Sequence, residues 1–309
     1  MQRRSFALGM LLSAAGRTFA AASEMPRDPA HPGAGISADE FRRYVEAFNG
    51  GDFPGFGAFY AADVDFRGQG GQFRGRAAVL EFYRTVKRRV RETLTIEALV
   101  VNERAILADM LTELHVLEDW PDFATGPLHR GETRRSENFI WYDIEQRHFT
   151  RVRSAHYGDG TGAVAPAGAQ APEGEPAISE TQFRAYIDAF NRDDYAAFSR
   201  FYAEDVVLVL AGKRELRGHR AIIDFYRAVK ARTRRTIHVD RFLASGNFIA
   251  AELHSEFLAL EDLPDFIAGP MRRGGRIFIN TFVLYELRGG RFARIRSAEF
   301  RKINEGTAS

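Results

Sequence analysis

Glu252, His254 and Glu256 recur at every second position of "AELHSEF" (251–257). Asp109, Leu111, Glu113 and His115 repeat the pattern in "DMLTELH" (109–115). In a strand, period two puts such residues on one face. A carboxylate beside an imidazole shifts the proton affinity of both and suits general acid–base chemistry. Glu113 with His115, and His254 with Glu256, are therefore the candidate proton-transfer pairs. The competing expectation is structural. Arg151, Arg153, Arg294 and Arg296 also fall at period two, so acids and arginines can pair across strands or between domains. Cysteine is absent, which excludes a thiol nucleophile, thiolate metal sites and disulfides. No His/Asp/Glu spacing marks a metal site, no serine sits in a nucleophile elbow, and "GQGG" (68–71) lacks the strand–glycine–helix context of a phosphate loop. No cofactor and no metal are expected.

The elements that must position these residues are written twice. "ISADEFRRYVEAFNGGD" (36–52) matches "ISETQFRAYIDAFNRDD" (178–194), and "FYAADV" (59–64) matches "FYAEDV" (201–206). "LEDWPDFATGP" (117–127) matches "LEDLPDFIAGP" (260–270), and "FTRVRSAHY" (149–157) matches "FARIRSAEF" (292–300). The chain of 309 residues suits two domains of roughly 150 residues each. The boundaries expected are an export signal at 1–22, a lead-in at 23–35, domain one at 36–157, a Gly/Ala/Pro linker at 158–177, domain two at 178–303 and a tail at 304–309. Within each copy, Phe41, Tyr44, Val45 and Phe48 (Phe183, Tyr186, Ile187 and Phe190) have helical spacing behind a Ser37 or Ser179 cap. A short second helix, a short strand, a third helix over about 77–89 (220–232) and four long strands follow. Helices first and an antiparallel sheet afterwards predict an α+β fold. The basic runs "VKRRVRE" (86–92) and "VKARTRR" (229–235) are expected at a helix end, solvated and matched to the helix dipole. The eleven-residue phrase is expected to join two strands as a shaped loop at a pocket rim or domain seam.

This order of motifs resembles the SnoaL-like group of the nuclear transport factor 2-like superfamily. It runs from an "FN-x-x-D" helix through "FYA-x-DV" and a "G-x-x-A…FY" helix to a meander ending in "F-x-R-[VI]-R-S-A". The resemblance covers both copies. It implies a cone-shaped domain, a curved antiparallel sheet wrapped over N-terminal helices around a pocket, and two copies packed as an intramolecular pseudo-dimer. By the same resemblance Tyr44 and Tyr186 match a pocket tyrosine and Glu137 a pocket acid, which is Asn280 in the second copy; with Tyr60 and Tyr202 they are the candidate ligand-lining residues. The base position of the related isomerase falls near Gly68 and Leu210, neither of which takes a proton.

Apolar residues make up 45% and charged residues 27% of the chain, with 26 phenylalanines, so two soluble domains with Phe-rich cores are expected. A net charge of +2 argues against a nucleic-acid partner. No stretch suits stable membrane insertion. Arg3 and Arg4 precede a short apolar run, the pattern of a twin-arginine-like or general export signal, and predict a periplasmic or secreted protein. Two functions follow from these expectations. One is an exported enzyme moving protons on a small hydrophobic molecule by isomerisation, dehydration or water addition. The other is a non-catalytic module that binds a small ligand or a protein.

Overall fold

The computed structural model describes residues 35–160, 176–210 and 214–305. The expected export signal, most of the expected lead-in and residues 161–175 of the expected linker lie outside the described residues. The first domain runs α1 (Ala38–Gly50), α2 (Phe53–Gly57), β1 (Tyr60–Gly68), β2 (Gly71–Arg74), α3 (Arg76–Arg89), β3 (Val90–Val101), β4 (Ala105–Val116), β5 (Thr133–Glu145) and β6 (His148–Gly158). The second repeats it as α4 (Glu180–Asn191), α5 (Tyr195–Ser199), β7 (Tyr202–Leu210), β8 (Arg214–Arg217), α6 (Gly218–Arg232), β9 (Thr233–Ser245), β10 (Phe248–Ala259), β11 (Arg276–Arg288) and β12 (Arg291–Glu305). Among the described residues no helix is long and apolar enough to cross a membrane.

The first helix of each domain starts where its side chains demand. Ser37 and Glu40 exchange hydrogen bonds with each other's backbone, as do Ser179 and Gln182, so free amides of the first turn are satisfied. Phe41, Tyr44, Val45 and Phe48 then form one buried stripe. The helical asparagine of the "FN" motif has a separate task. Asn49 donates to the Leu94 carbonyl at 2.9 Å and accepts from the Leu94 amide at 2.8 Å. Asn191 clasps Ile237 in the same way at 2.8 Å in both directions. Helix and sheet are thereby locked together beside the middle of β3 and of β9.

Each domain has one six-stranded sheet, in the orders β2-β1-β6-β5-β4-β3 and β8-β7-β12-β11-β10-β9. The sheet is antiparallel except at one seam in each domain. β1 runs parallel to β6, and β7 parallel to β12. Hairpins dictate antiparallel neighbours only where strands follow directly in sequence, and α3 or α6 carries the chain across the sheet after the β1–β2 or β7–β8 hairpin. The second helix of each domain ends at Gly57 or Ser199, and Tyr60 and Tyr202 already begin strands.

The concave face of each sheet closes on its helices around an aromatic core, with Phe41, Tyr44, Phe48, Phe56, Tyr142 and Phe149 in the first domain. The opposite faces pack against each other. Leu107, Phe139, Trp141 and Ala155 meet Leu243, Ala250, Phe282 and Leu284 in one shared buried cluster, and the Trp141 and Phe282 rings stack at 5.5 Å. Arg153 donates to both carboxylate oxygens of Glu252 at 2.7 and 2.8 Å. The reciprocal pair sets Arg296 Nη1 2.6 Å from Asp109 Oδ2. The Tyr157 hydroxyl, itself accepting from Arg296 at 3.0 Å, donates to Asp109 Oδ1 at 2.5 Å. Arg153 and Arg296 hold equivalent places in the two repeats, as do Asp109 and Glu252. The seam is therefore isologous: what domain one offers, domain two returns.

Candidate functional site

Alternation along β4 and β10 decides where the four proton-transfer candidates stand. Ile106, Ala108 and Met110 belong to the first cone's core, while Ala105 and Leu107 belong to the cluster between domains. Counting on by two from Leu107 places Asp109, Glu113 and His115 on the outer face. In β10, Ile249, Ala251 and Leu253 face the cone, so Glu252, His254 and Glu256 face out. None of Glu113, His115, His254 and Glu256 lines a cone cavity. Glu113 accepts from Arg135 on β5 at 2.8 Å, and Glu256 pairs with Arg276 on β11. His115 Nδ1 lies 3.3 Å from the Thr133 hydroxyl, and His254 Nδ1 3.3 Å from the Asn280 amide. The structure thus brings these four residues to cross-strand polar pairs outside the pockets. The arginine ladder explains the rest of that face, with Arg153 and Arg296 reaching the opposite domain's acids.

The implied ligand-lining residues divide. Tyr44 and Tyr186 line the first and second cavities. Tyr60 and Tyr202 stand one layer behind, their hydroxyls 2.7 and 3.2 Å from those of Tyr44 and Tyr186. Glu137 and Asn280 are on the outer face with Phe139 and His254. Their inward neighbours Asn138 and Thr281 line the cone interiors, while Glu137 lines the larger cavity from the outer face of the first domain. A register one residue off carries a side chain to the other side of a sheet, which is the whole of that difference.

The first cone holds a cavity of about 120 Å³. Asn138 is its polar hub: it donates to the Ser136 hydroxyl at 3.0 Å and accepts from Gln69 of the β1–β2 turn. Tyr44, Tyr83 and Tyr142 supply ring faces and hydroxyls. Burial pushes all three phenols well above their ordinary range, so they act as neutral hydrogen-bond donors. Phe82 and Phe123 close the rim. Phe123 comes from the repeated eleven-residue phrase, which Arg134 clamps by donating to the Pro127 carbonyl at 2.7 Å. Asp119 of that phrase accepts from the Arg130 amide at 2.8 Å, as Asp262 does from Arg273. Among the described residues no three metal-ligating side chains gather.

The titratable group of this cavity is Glu92, on β3. Desolvation among the tyrosines pushes its carboxyl up to about 7, and the Lys87 ammonium pulls the other way. Burial lowers Lys87 in turn, and its ammonium sits 4.0 Å from the centre of the Phe48 ring. In sequence Glu92 ends a basic run expected to be a solvated helix tail. The helix stops at Arg89, and the period changes from 3.6 to 2 at Val90. From there Val90, Glu92 and Leu94 alternate inward, with Val90 and Leu94 buried. A charged residue between two inward apolar positions was the available signal. The same break at Thr233 turns Arg235 inward in the second domain.

Two stretches of the chain, 41–152 and 183–295, match the family model described as a SnoaL-like domain. No curated protein matches it in sequence. Among solved structures, an LEH-like epoxide hydrolase of M. tuberculosis is similar at 17% identity and a TM-score of 0.32, over 38% of this chain and 78% of that one. A SnoaL-like polyketide cyclase of Agrobacterium tumefaciens str. C58 is similar at 19% identity and a TM-score of 0.33, over 38% of this chain and 87% of that one.

Proposed function

Because the chain belongs to the SnoaL-like domain family, with two such domains in tandem, we propose that its first cone is a proton-transfer active site with Glu92 as the base. The observation that carries this reading is a carboxyl with a proton affinity near neutrality, facing an aromatic cavity that holds neutral donors. A base is most effective when its pKa lies near the working pH. The substrate class is a small, largely apolar molecule carrying one oxygen function. Glu92 takes a proton from carbon or from water, and the Tyr44 hydroxyl, backed by Tyr60, or the Asn138 amide donates to the oxygen that gains charge. Isomerisation, dehydration and water addition all fit this arrangement.

The test is turnover of a panel of small enones, hydroxy ketones and epoxides by the intact protein. Glu92→Gln should lower kcat by about a hundredfold or more, the usual worth of a general base. Glu113→Gln and Glu256→Gln should leave turnover within about twofold, since their worth is that of exposed ion pairs. Loss of turnover in the outer-face variants with Glu92→Gln fully active would return the chemistry to the outer face. The cavity volume favours a second reading. About 120 Å³ is below the roughly 300 Å³ where ordinary ligand pockets begin, as suits a domain that holds a small ligand without transforming it. Saturable binding with no turnover across the panel would establish that reading.

We further propose export, supported by the paired arginines and apolar run within residues 1–22. Expression in a bacterium should yield a periplasmic protein whose N-terminus begins near residue 23. A cytoplasmic protein retaining Met1 would refute it.

A further inference from the structure

The second cone carries a cation where the first carries an acid. Arg235 occupies on β9 the place of Glu92 on β3, between the buried residues Thr233 and Ile237. Its guanidinium lies 4.9 Å from the Phe257 ring centre, 5.2 Å from Phe190 and 5.5 Å from Tyr226. Nη2 donates to the Ser255 hydroxyl at a long 3.5 Å, and Nε is shut from solvent without a partner. Among the described residues no carboxylate forms an ion pair with it. The neighbouring cation, Lys230, is already committed to Asp193 and the Phe190 carbonyl. Of the acids lining the cavity, Glu215 is committed to Arg217, and Glu286 and Asp109 to Arg296; Glu97, Glu137, Asp159 and Glu299 line it from the first domain and from β12.

A guanidinium presents five donors in a planar fork. Aromatic faces offset part of its desolvation, and the Tyr226 hydroxyl adds a side-chain hydrogen bond, so that two neutral hydroxyls fill the fork only in part and Nε stays unpartnered. Arg235 lines a cavity of about 1020 Å³ that runs from Tyr186, Leu253 and Ile279 inside the cone, along the groove beside β12, to Asp109 and Glu137 of the first domain. Arg214, at 4.8 Å over the Phe225 ring, lines the same cavity.

We propose that the second cone binds an apolar carboxylic acid, with the carboxylate on the Arg235 fork and the hydrocarbon along the apolar wall. A carboxylate supplies two charged acceptors where the fork has only the neutral hydroxyls of Ser255 and Tyr226, and the wall selects an acid with a hydrophobic body over a free inorganic anion. This site is independent of Glu92 and of any turnover in the first domain.

Calorimetric titration of the intact protein with decanoate, decanol and decylamine tests the assignment. Decanoate should bind one site at least tenfold more tightly than decanol, and decylamine should bind more weakly still. Arg235→Met should abolish the preference for decanoate while keeping decanol binding, and Glu92→Gln should leave all three affinities unchanged. Arg235→Lys, which keeps the charge without the fork, should hold part of the preference and covers the case in which the methionine variant fails to fold. Absence of saturable decanoate binding, decanol binding as tight as decanoate, or a preference untouched in both Arg235 variants overturns the proposal.

Discussion

Glu252→Ala should lower the stability of the whole molecule by about 3–5 kcal/mol, the usual effect of leaving one member of a buried ion pair alone. The size follows from what is stranded. Arg153, with a side chain only 12% exposed, makes two hydrogen bonds to that carboxylate, and Arg241 lies 3.3 Å from the same group. Without Glu252 the Arg153 guanidinium remains between Phe282 and Phe300, at 5.3 and 5.4 Å from the ring centres, with no counter-charge from Glu252. The double variant Arg153→Met/Glu252→Met should recover much of the loss, because removing both charges removes their desolvation penalty as well. Urea unfolding of the single and double variants is the measurement. A single-variant loss below about 1 kcal/mol would mean that the pair behaves as an exposed bridge. The hydrophobic cluster would then hold the domains together alone.

Glu92→Gln should flatten the pH dependence of stability between about pH 5 and 8. The direction follows from proton linkage. The folded-state pKa, about 7, lies above the unfolded value near 4.3. Between those values the folded protein holds a proton that the unfolded chain releases, so stability falls as pH rises. The contribution of a neutral Glu92 is complete below the unfolded pKa and lost as pH passes 7. Glu92 is half-buried and opens onto a cavity, so solvent reduces the effect to about 1–2 kcal/mol rather than the full value of the shift. The variant should exceed the parent by that amount at pH 8 and match it near pH 4. In turnover, the ionised base is the active form: kcat/KM should rise with pH through about 7 in the parent, and that limb should be missing in the variant. Identical unfolding profiles at pH 5 and 8 would show that Glu92 keeps an ordinary carboxyl.

The fold was legible because its signals are local and repeated. The Ser37 and Ser179 caps, the helical Phe/Tyr stripes and the inter-strand phrases each specify one element, and the second copy confirms the first. The site was less legible because it depends on which side of a sheet a residue takes. Glu113, His115, His254 and Glu256 were correctly grouped on one face, yet period two alone does not say whether that face is pocket or seam. Glu137 and Asn280 stand on the outer face, one position from the inward residues Asn138 and Thr281. Glu92 and Arg235 were hidden by their neighbours: a run of lysines and arginines at a helix end resembles a solvated tail until the helix boundary at Arg89 or Arg232 is known. The parallel β1–β6 seam joins strands remote in sequence, and no turn residue announces it.

The reciprocal seam also bears on inheritance. In a dimer of identical chains one altered codon changes both halves, so a damaged contact is damaged twice and both pockets must remain alike. Here a change at Glu252 leaves the Arg296–Asp109 pair in place, and a change at Arg235 leaves Glu92 untouched. Each half keeps a partner while the other drifts. Two cones with opposite charges at one equivalent position are an outcome open to the fused chain and closed to its homodimeric counterpart.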